Sequence, residues 1–450
     1  MSPGSRRATG WLAAAAMVAV ASPPPLRGQE RRPESADSVR IQLARLASLV
    51  DSLKAEVARL QQEGKKREAQ DAMARLRAAA KAAASAAPKA AAPETQEFVG
   101  RQRSLQKLNP EISMNADMLA FMNPDNADAD NFIPREFELA IVSNLDPFSR
   151  AKVFLSKHAP GGEIDPFPSD TPADEGDAIE VEEGYVQWVN LPGGFNLTLG
   201  RFLQRFGTLN RWHSHALPFQ TRSLPHLAFV GEESLAQTGA SLYWLTPLNV
   251  AGGTYETWVE VTRSSNEKLF GVSTRPSVLG HLNAFWQLSP SVDIDIGMSW
   301  VNGTYEDEQN LFDRNLYGAE FAFTWRPPSR ARYRSLTVRG GTMVLDGLLA
   351  PGLPGAGPGG HLDDQAHGFW SMAELRLSPR VYIGGRYDWT ENPADPDQSR
   401  WLLSPTLTWW QSEFVRLRGE YDLLGGMNDT TGFLVIQVTF AMGPHKHETY

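Results

Sequence analysis

The chain has 450 residues, a formal net charge of −9 and no cysteine. The lack of cysteine excludes disulfides, thiol nucleophiles and cysteine-ligated metal sites, and the negative charge argues against nucleic acid as a partner. Beyond the N-terminus no run of about 20 apolar residues occurs, so transmembrane helices are not expected.

The N-terminus has the pattern of an export signal, which we place at residues 1–28. Arg6 and Arg7 precede an apolar run at 11–21 that is too short to span a membrane as a helix. Small residues at Ala21 and Gly28 offer two cleavage sites. A disordered, alanine-rich tail is the alternative interpretation.

Residues 36–64 contain a heptad repeat that predicts a short periplasmic α-helical coiled coil. The apolar positions alternate at spacings of three and four residues: Val39, Leu43, Leu46, Val50, Leu53, Val57 and Leu60. Valine at one core position and leucine at the other favour a dimer, and a trimeric barrel would impose three strands, so a homo-oligomer is expected. The alternative is an amphipathic helix on another surface. Residues 65–110, rich in alanine, lysine and proline, predict a linker.

From residue 111 to the end at 450, apolar and polar residues alternate, as in β-strands. In one such run, Val292, Ile294 and Ile296 alternate with Asp293 and Asp295. The pattern predicts an all-β fold, an antiparallel transmembrane β-barrel of about sixteen strands with lipid outside and water inside. The sixteen runs are 111–121, 135–145, 149–157, 179–190, 194–204, 236–246, 249–263, 280–288, 291–302, 314–326, 333–345, 366–377, 380–390, 400–410, 412–423 and 431–442.

The connections between these runs indicate how the barrel is oriented. Seven short connections, mostly with proline or glycine, alternate strictly with eight longer ones. Outer-membrane barrels have short periplasmic turns and long outer loops, so we predict the outer membrane of a Gram-negative-type bacterium, with lipid as a partner. Five tryptophans near short turns fit an interfacial girdle: Trp188, Trp244, Trp286, Trp325 and Trp409. A large soluble β-sandwich is the alternative.

The longest connection, 205–235, is the predicted pore constriction. Arginines and histidines are concentrated in it or just before it: Arg201, Arg205, Arg211, His213, His215, Arg222 and His226. A long loop rich in bulky side chains is expected to be ordered, and if it folds into the lumen it narrows the pore and places charge there. Arg201 shares the strand parity of Leu197 and Leu199, so it reaches the lumen only if Gly200 forms a bulge.

Other charged residues are open to two interpretations. The segment 163–183 contains nine acidic residues and no basic one, which is typical of a solvated face, or else of a cation-attracting vestibule or Ca²⁺ site. Arg416, Arg418, Glu420 and Asp422 fall on the lumen side of one run. They either set a transverse field across the pore or satisfy a polar interior.

Two histidine pairs are candidate Zn²⁺ ligands: His213 with His215, and His445 with His447 in the tail. Neutral imidazole is a common zinc ligand, and His226 or a loop carboxylate would complete the first site. Ordinary hydrogen-bonded loop histidines are the alternative. No other cofactor is indicated. The chain lacks the G-x-S-x-G, H-E-x-x-H and G-x-G-x-x-G patterns of common enzyme classes, so no enzyme is predicted.

The segments LGRFLQRFGTLNRWHSHALP and GEESLAQTGASLYWLTP resemble porins of the phosphate-selective type. That resemblance implies an N-terminal coil, a sixteen-stranded trimeric barrel and a third loop that folds inward. With the tail GPHKHETY, they are also similar to short proteins labelled zinc-regulated TonB-dependent outer-membrane receptors, which share an FG…N…H.H motif. Such a receptor has a globular plug domain before its barrel. In this chain, residues 29–110 contain the heptad segment and the linker instead.

These observations give three functional hypotheses. The first is an outer-membrane porin-like channel for small hydrophilic solutes, ions included, with 205–235 as its constriction. The second is a zinc-linked outer-membrane receptor or transporter without an evident plug domain. The third is a structural or adhesive barrel whose coil tethers the cell wall.

Overall fold

The structure is a computed structural model that describes residues 110–124, 131–159, 164–167, 178–232, 234–308, 310–349, 360–427 and 429–443. The predicted signal peptide and coiled coil, the linker up to residue 109 and the tail histidines His445 and His447 lie outside the described residues. Within the described residues, no helix has the length and apolar character needed to cross a membrane.

Sixteen antiparallel strands form one closed barrel, in which β1 pairs with β16. The predicted all-β barrel of sixteen strands is therefore confirmed. The strands are β1 (Glu111–Met122), β2 (Asn131–Asn144), β3 (Ser149–His158), β4 (Glu180–Leu191), β5 (Phe195–Leu203), β6 (Ala236–Leu245), β7 (Thr254–Arg263), β8 (Pro276–Ser289), β9 (Val292–Glu306), β10 (Leu311–Trp325), β11 (Ser335–Leu349), β12 (His361–Arg376), β13 (Val381–Asn392), β14 (Asp395–Trp410), β15 (Val415–Gly426) and β16 (Asp429–Met442).

The outward face of the barrel is apolar. On β9, Met298 and Trp300 are 60% and 41% exposed, while the alternating residues Ser299 and Val301 are buried. The five tryptophans near short turns also lie on outward strand positions, at the end of the barrel that carries the β2–β3 and β4–β5 turns. We call this end the turn rim and the opposite end the loop rim. Exposed apolar side chains in this quantity require a non-aqueous neighbour.

Three connections at the loop rim are shorter than the sequence pattern predicts. They are 307–310, 393–394 and 427–428. At the turn rim, β6 and β7 are joined by the longer segment 246–253. The predicted strict alternation of short and long connections is therefore wrong. Polar residues such as Glu306 and Asp395 still pair through their backbones, so the ladder continues beyond the apolar band that the sequence pattern marks.

Two β-bulges turn consecutive residues towards the interior. Between β1 and β2 the register shifts after Asp117, and both Arg135 and Glu136 of β2 are buried. Between β3 and β4 the register shifts after Phe154. There β4 has one extra residue, Glu182, next to Glu183. An extra residue in one strand breaks the alternation of faces and re-aims the neighbouring side chain. The first bulge therefore adds Arg135, and the second adds Glu182, to the side chains that point towards the lumen.

The barrel interior contains an apolar core next to the loop rim. Two short helices, α1 (Leu224–Phe229) and α2 (Glu267–Phe270), contribute Phe229 and Phe270 to it. Strand residues that point inward complete the cluster, among them Leu279, Val301 and Leu316. The prediction of water inside the barrel is therefore wrong at this end, where apolar wall residues bury the helices.

Replacing Phe229 with alanine should weaken this packing by about 3–5 kcal/mol, because a fully buried phenylalanine leaves a large cavity. Phe229 is 1% exposed. The expected result is faster trypsin cleavage within 204–235, mapped by mass spectrometry on the detergent-solubilised chain. Phe132→Ala is the matched control, since Phe132 is 84% exposed. Equal cleavage rates in the two variants would contradict the buried role of Phe229.

Candidate functional site

The connection between β5 and β6, residues 204–235, crosses the interior of the barrel and is called the inner loop below. Near its start, the Thr208 hydroxyl donates to Glu320 of β10 at 2.7 Å. Near its middle, the Arg135 guanidinium of β2 donates to the carbonyl of Gln220. β2 and β10 lie on opposite sides of the ring of sixteen strands. The inner loop therefore contacts opposite walls.

Charged side chains of β15 hold the far half of the inner loop by its backbone. Arg416 and Arg418 both donate to the carbonyl of Leu217, at 3.2 and 3.0 Å. Glu420 accepts the N–H of Gln220 at 2.9 Å. These side chains face inward as predicted, but they are 1–4% exposed. They therefore bind the loop instead of setting a field across open water.

Arg222 and Arg205 are also buried, although both are predicted constriction residues. Arg222 donates to the carbonyls of Leu209 and Trp212, at 3.0 and 2.9 Å, and so ties the inner loop to itself. Burial lowers the pKa of Arg222 to about 10, which leaves it charged at neutral pH. The Arg205 guanidinium lies 4.6 Å from the centre of the Trp258 ring. The structure does not bring these two arginines together in the lumen.

Arg201 could reach the lumen only through a bulge at Gly200, and the strand has no bulge there. Gly200 has φ of +136°, a conformation that favours glycine. The ladder nevertheless runs from Leu197 to Arg201 without a register shift, with Arg201 opposite Gly184. Arg201 therefore keeps the outward parity of Leu199, and its prediction as a constriction residue is wrong.

Arg211 is the predicted constriction residue of the inner loop that stays half-exposed. Four wall charges missing from the sequence-based prediction share this partial exposure: Glu256, Asp295, Glu320 and Arg339. Burial lowers the pKa of Arg205, and Arg211 adds to this effect, whereas the carboxylates of Glu320, Glu256 and Asp295 oppose it. Charges of both signs thus line the accessible interior. Strand parity alone was a sufficient signal for Asp295 and Glu320.

His213 is surrounded by carboxylates from two strands. Its Nδ1 atom lies 2.9 Å from Oε2 of Glu138 on β2 and 3.1 Å from Oε2 of Glu182 on β4. Its Nε2 atom lies 3.0 Å from Oε1 of Glu183. Glu182 and Glu183 end the predicted acidic segment 163–183, and the structure places them in a strand, turned inward, and not on a solvated face.

His215 lies beside this cluster, with its ring stacked 5.8 Å from that of His213. Its Nδ1 atom lies 3.2 Å from Oε1 of Glu136. Burial alone would lower the pKa of each histidine, but Glu182 and Glu138 hold the pKa of His213 well above its ordinary value, and Glu136 and Glu138 raise the pKa of His215. The carboxylates therefore favour the protonated form of both imidazoles.

His226 is not one of the residues grouped around His213. It is 5% exposed, and burial, together with the Arg222 guanidinium, lowers its pKa well below the ordinary value. Among the described residues, the group that offers ligand atoms to a metal ion consists of Glu136, Glu138, Glu182 and His213. The prediction that His226 completes a site with His213 is therefore wrong, whereas a carboxylate does lie at the required place.

No family model matches the chain. A stretch of 98 residues is 35% identical to an uncharacterized protein of Aquifex aeolicus (strain VF5), and it covers 21% of this chain and 19% of that protein. The high-pH structure of Pseudomonas putida OprB superimposes with a TM-score of 0.54 at 11% identity, over 77% of this chain and 98% of that one. The described barrel has the fold of outer-membrane porins.

Two further solved structures give slightly lower scores. The anion-selective porin from Comamonas acidovorans has a TM-score of 0.49 at 10% identity, over 74% of this chain and 99% of that one. Salmonella typhi OmpF in complex with daunomycin has a TM-score of 0.49 at 8% identity, over 74% and 97% of the two chains. At these identities the likeness concerns the fold and not the solute.

Proposed function

We propose that the chain is a porin-like channel in the outer membrane of a Gram-negative-type bacterium, and not an enzyme. It would pass small hydrophilic solutes, ions included, with the inner loop as its constriction. The observation that carries the proposal is that the inner loop binds opposite walls of a closed barrel, through Thr208 to Glu320 and through Gln220 to Arg135. The apolar outward face and its row of tryptophans support insertion into lipid.

The charges left accessible in the lumen support weak selectivity. A phosphate-selective pore would need several arginines converging on one accessible point. Arg205 and Arg222 are buried, and Arg211 and Arg339 share the interior with Glu256, Asp295 and Glu320. The phosphate-selective type therefore stays a prediction from sequence resemblance, and we favour a channel with little preference between anions and cations.

Planar-bilayer recording of the purified full-length chain tests this proposal. We expect discrete conductance steps in potassium chloride, and a reversal potential close to zero in a salt gradient. Phosphate in place of chloride should not raise the conductance. The control is a sample unfolded by heat before addition to the bilayer. If the folded chain gives no steps above that control, the channel proposal fails.

A zinc-linked outer-membrane receptor or transporter is the second candidate function. The observation that favours it is the set of carboxylates around His213, since zinc binds imidazole and carboxylate ligands.

The predicted homo-oligomer, dimer or trimer, rests on the heptads at 36–64, which lie outside the described residues. Mass photometry of the chain in detergent, with and without these residues, tests it.

A further inference from the structure

Three elements bring potential metal ligands to one point inside the barrel. β2 contributes Glu136 and Glu138, β4 contributes Glu182, and the inner loop contributes His213. One ligand atom from each residue lies within 4.8 Å of the others. The His213 Nδ1 atom is the centre of this arrangement, because two carboxylate oxygens lie 2.9 and 3.1 Å from it.

The atoms at this point lack hydrogen-bond partners. Glu136 Oε2, Glu138 Oε2, Glu182 Oε2 and His213 Nδ1 are buried, and among the described residues none of them has a hydrogen bond. The short contacts of His213 Nδ1 are therefore not well-formed hydrogen bonds. Glu136 and Glu138 are each 1% exposed. Buried carboxylate oxygens without hydrogen bonds are costly, and a bound cation removes that cost.

The opposite atoms of the same side chains are held by outer partners. Oε1 of Glu138 accepts from Asn115 at 2.9 Å, and Oε1 of Glu136 lies 3.2 Å from His215. The Nε2 atom of His213 lies 3.0 Å from Glu183. In the neutral imidazole, donation from Nε2–H to Glu183 leaves the Nδ1 lone pair free for a metal. A carboxylate that orients a ligating histidine is the usual outer shell of a metal site.

The charge at this point also favours a divalent ion. Four carboxylates, from Glu136, Glu138, Glu182 and Glu183, surround two imidazoles. Two arginines lie near these carboxylates, and both have other partners. Arg135 is paired with Asp117 and with the carbonyl of Gln220, and Arg222 donates to the carbonyls of Leu209 and Trp212. Mixed nitrogen and oxygen ligands suit Zn²⁺ or Mn²⁺, whereas Ca²⁺ takes oxygen ligands alone.

We propose that one divalent metal ion such as Zn²⁺ is bound by Glu136, Glu138, Glu182 and His213, and that this ion ties the inner loop to β2 and β4. This site would fix the position of the inner loop, and it does not depend on whether the barrel conducts ions. It deepens the second candidate function by naming the ligands, and it is compatible with the channel. Conductance and metal binding are measured separately, so that one proposal can fail without the other.

Calorimetric titration of the chelator-treated full-length chain with Zn²⁺ tests the site. All samples carry His445→Ala and His447→Ala, so that the tail cannot bind the metal. We expect one ion per chain. The double variant Glu138→Gln with Glu182→Gln should abolish binding. Glu183→Gln removes an outer partner only and should weaken binding by about 10- to 100-fold. His226→Gln, in the same loop but outside the cluster, is the matched control and should bind normally.

Two results would overturn the proposal. One is the absence of binding by the unaltered cluster, which would mean that a protonated His213 alone satisfies the carboxylates. The other is unchanged binding by the double variant. Migration as a folded barrel on an unheated gel checks that each variant has folded. X-ray absorption of the zinc-loaded chain that carries only the two tail substitutions gives an independent readout: we expect a single imidazole with oxygen ligands at about 2.0–2.2 Å, and two or more imidazoles would contradict the assigned ligands.

Discussion

Replacing residues 208–233 of the inner loop with a short Gly-Ser linker should raise single-channel conductance several-fold. The loop spans the lumen from β10 to β2 and is also bound by β15, so it occupies the section through which solutes would pass. Pore width and lining charge set conductance. Without the loop, the buried wall charges Arg416 and Glu420 would face water and become hydrated. Single-channel recording in planar bilayers gives the measurement.

Deletion of 248–251 is the matched control for this experiment. That segment belongs to the connection between β6 and β7, at the turn rim, its residues are exposed, and none of the inner-loop contacts given above involves it. Its removal should leave conductance unchanged. A second variant, Arg416→Gln with Arg418→Gln, keeps the loop but releases its hold on Leu217 and should raise conductance less. A loop-less barrel that still migrates as a folded barrel on an unheated gel and conducts no better than the full chain would contradict the constriction.

The number of strands was predictable because the two faces of each strand have different surroundings, which select apolar residues outside and polar residues inside. An outward residue meets a non-aqueous neighbour and an inward residue meets polar partners, so each strand has a period of two over its length. The strand ends were less predictable. Asp395 and Glu306 are polar, yet they continue the ladder, because backbone pairing does not depend on the polarity of the side chain.

The carboxylates around His213 were not predictable from alternation. Glu182 and Glu183 are adjacent in sequence, so a regular strand would send them to opposite faces. The bulge in β4 places both beside the same histidine. A bulge depends on pairing between strands and on the loop that covers them, and a single sequence has no local mark for it. The histidine was identifiable, but most of its partners were not.

The apolar core of the lumen did leave a mark in the sequence. Trp300-Val301 and Leu348-Leu349 are adjacent apolar pairs near the loop-rim ends of β9 and β11. Two neighbouring apolar residues in one strand mean that both faces are apolar. The inward members, Val301 and Leu348, are 1% and 0% exposed in the core around α1 and α2.

Asp117→Ala should reduce the free energy of unfolding by about 3–5 kcal/mol, because it leaves a buried arginine without its partner. Asp117 is completely buried at the seam where β1 meets β16 and closes the barrel. It accepts hydrogen bonds from Gln437 and Thr439 of β16, both at 3.0 Å, and forms an ion pair with Arg135 of β2. Urea titration of the folded barrel in detergent, followed by tryptophan fluorescence, measures the loss.

Two further variants separate the ion pair from the general effect of substitution at the seam. Asp397→Ala, at an exposed position on β14, should cost little. Replacing both partners, Asp117→Leu with Arg135→Met, should recover part of the stability that Asp117→Ala loses, since it also removes the buried arginine that Asp117→Ala leaves without its carboxylate. If Asp117→Ala costs no more than the exposed control, the seam is held by backbone pairing alone. If the double variant is the least stable of the three, the pair itself stabilises the closed barrel.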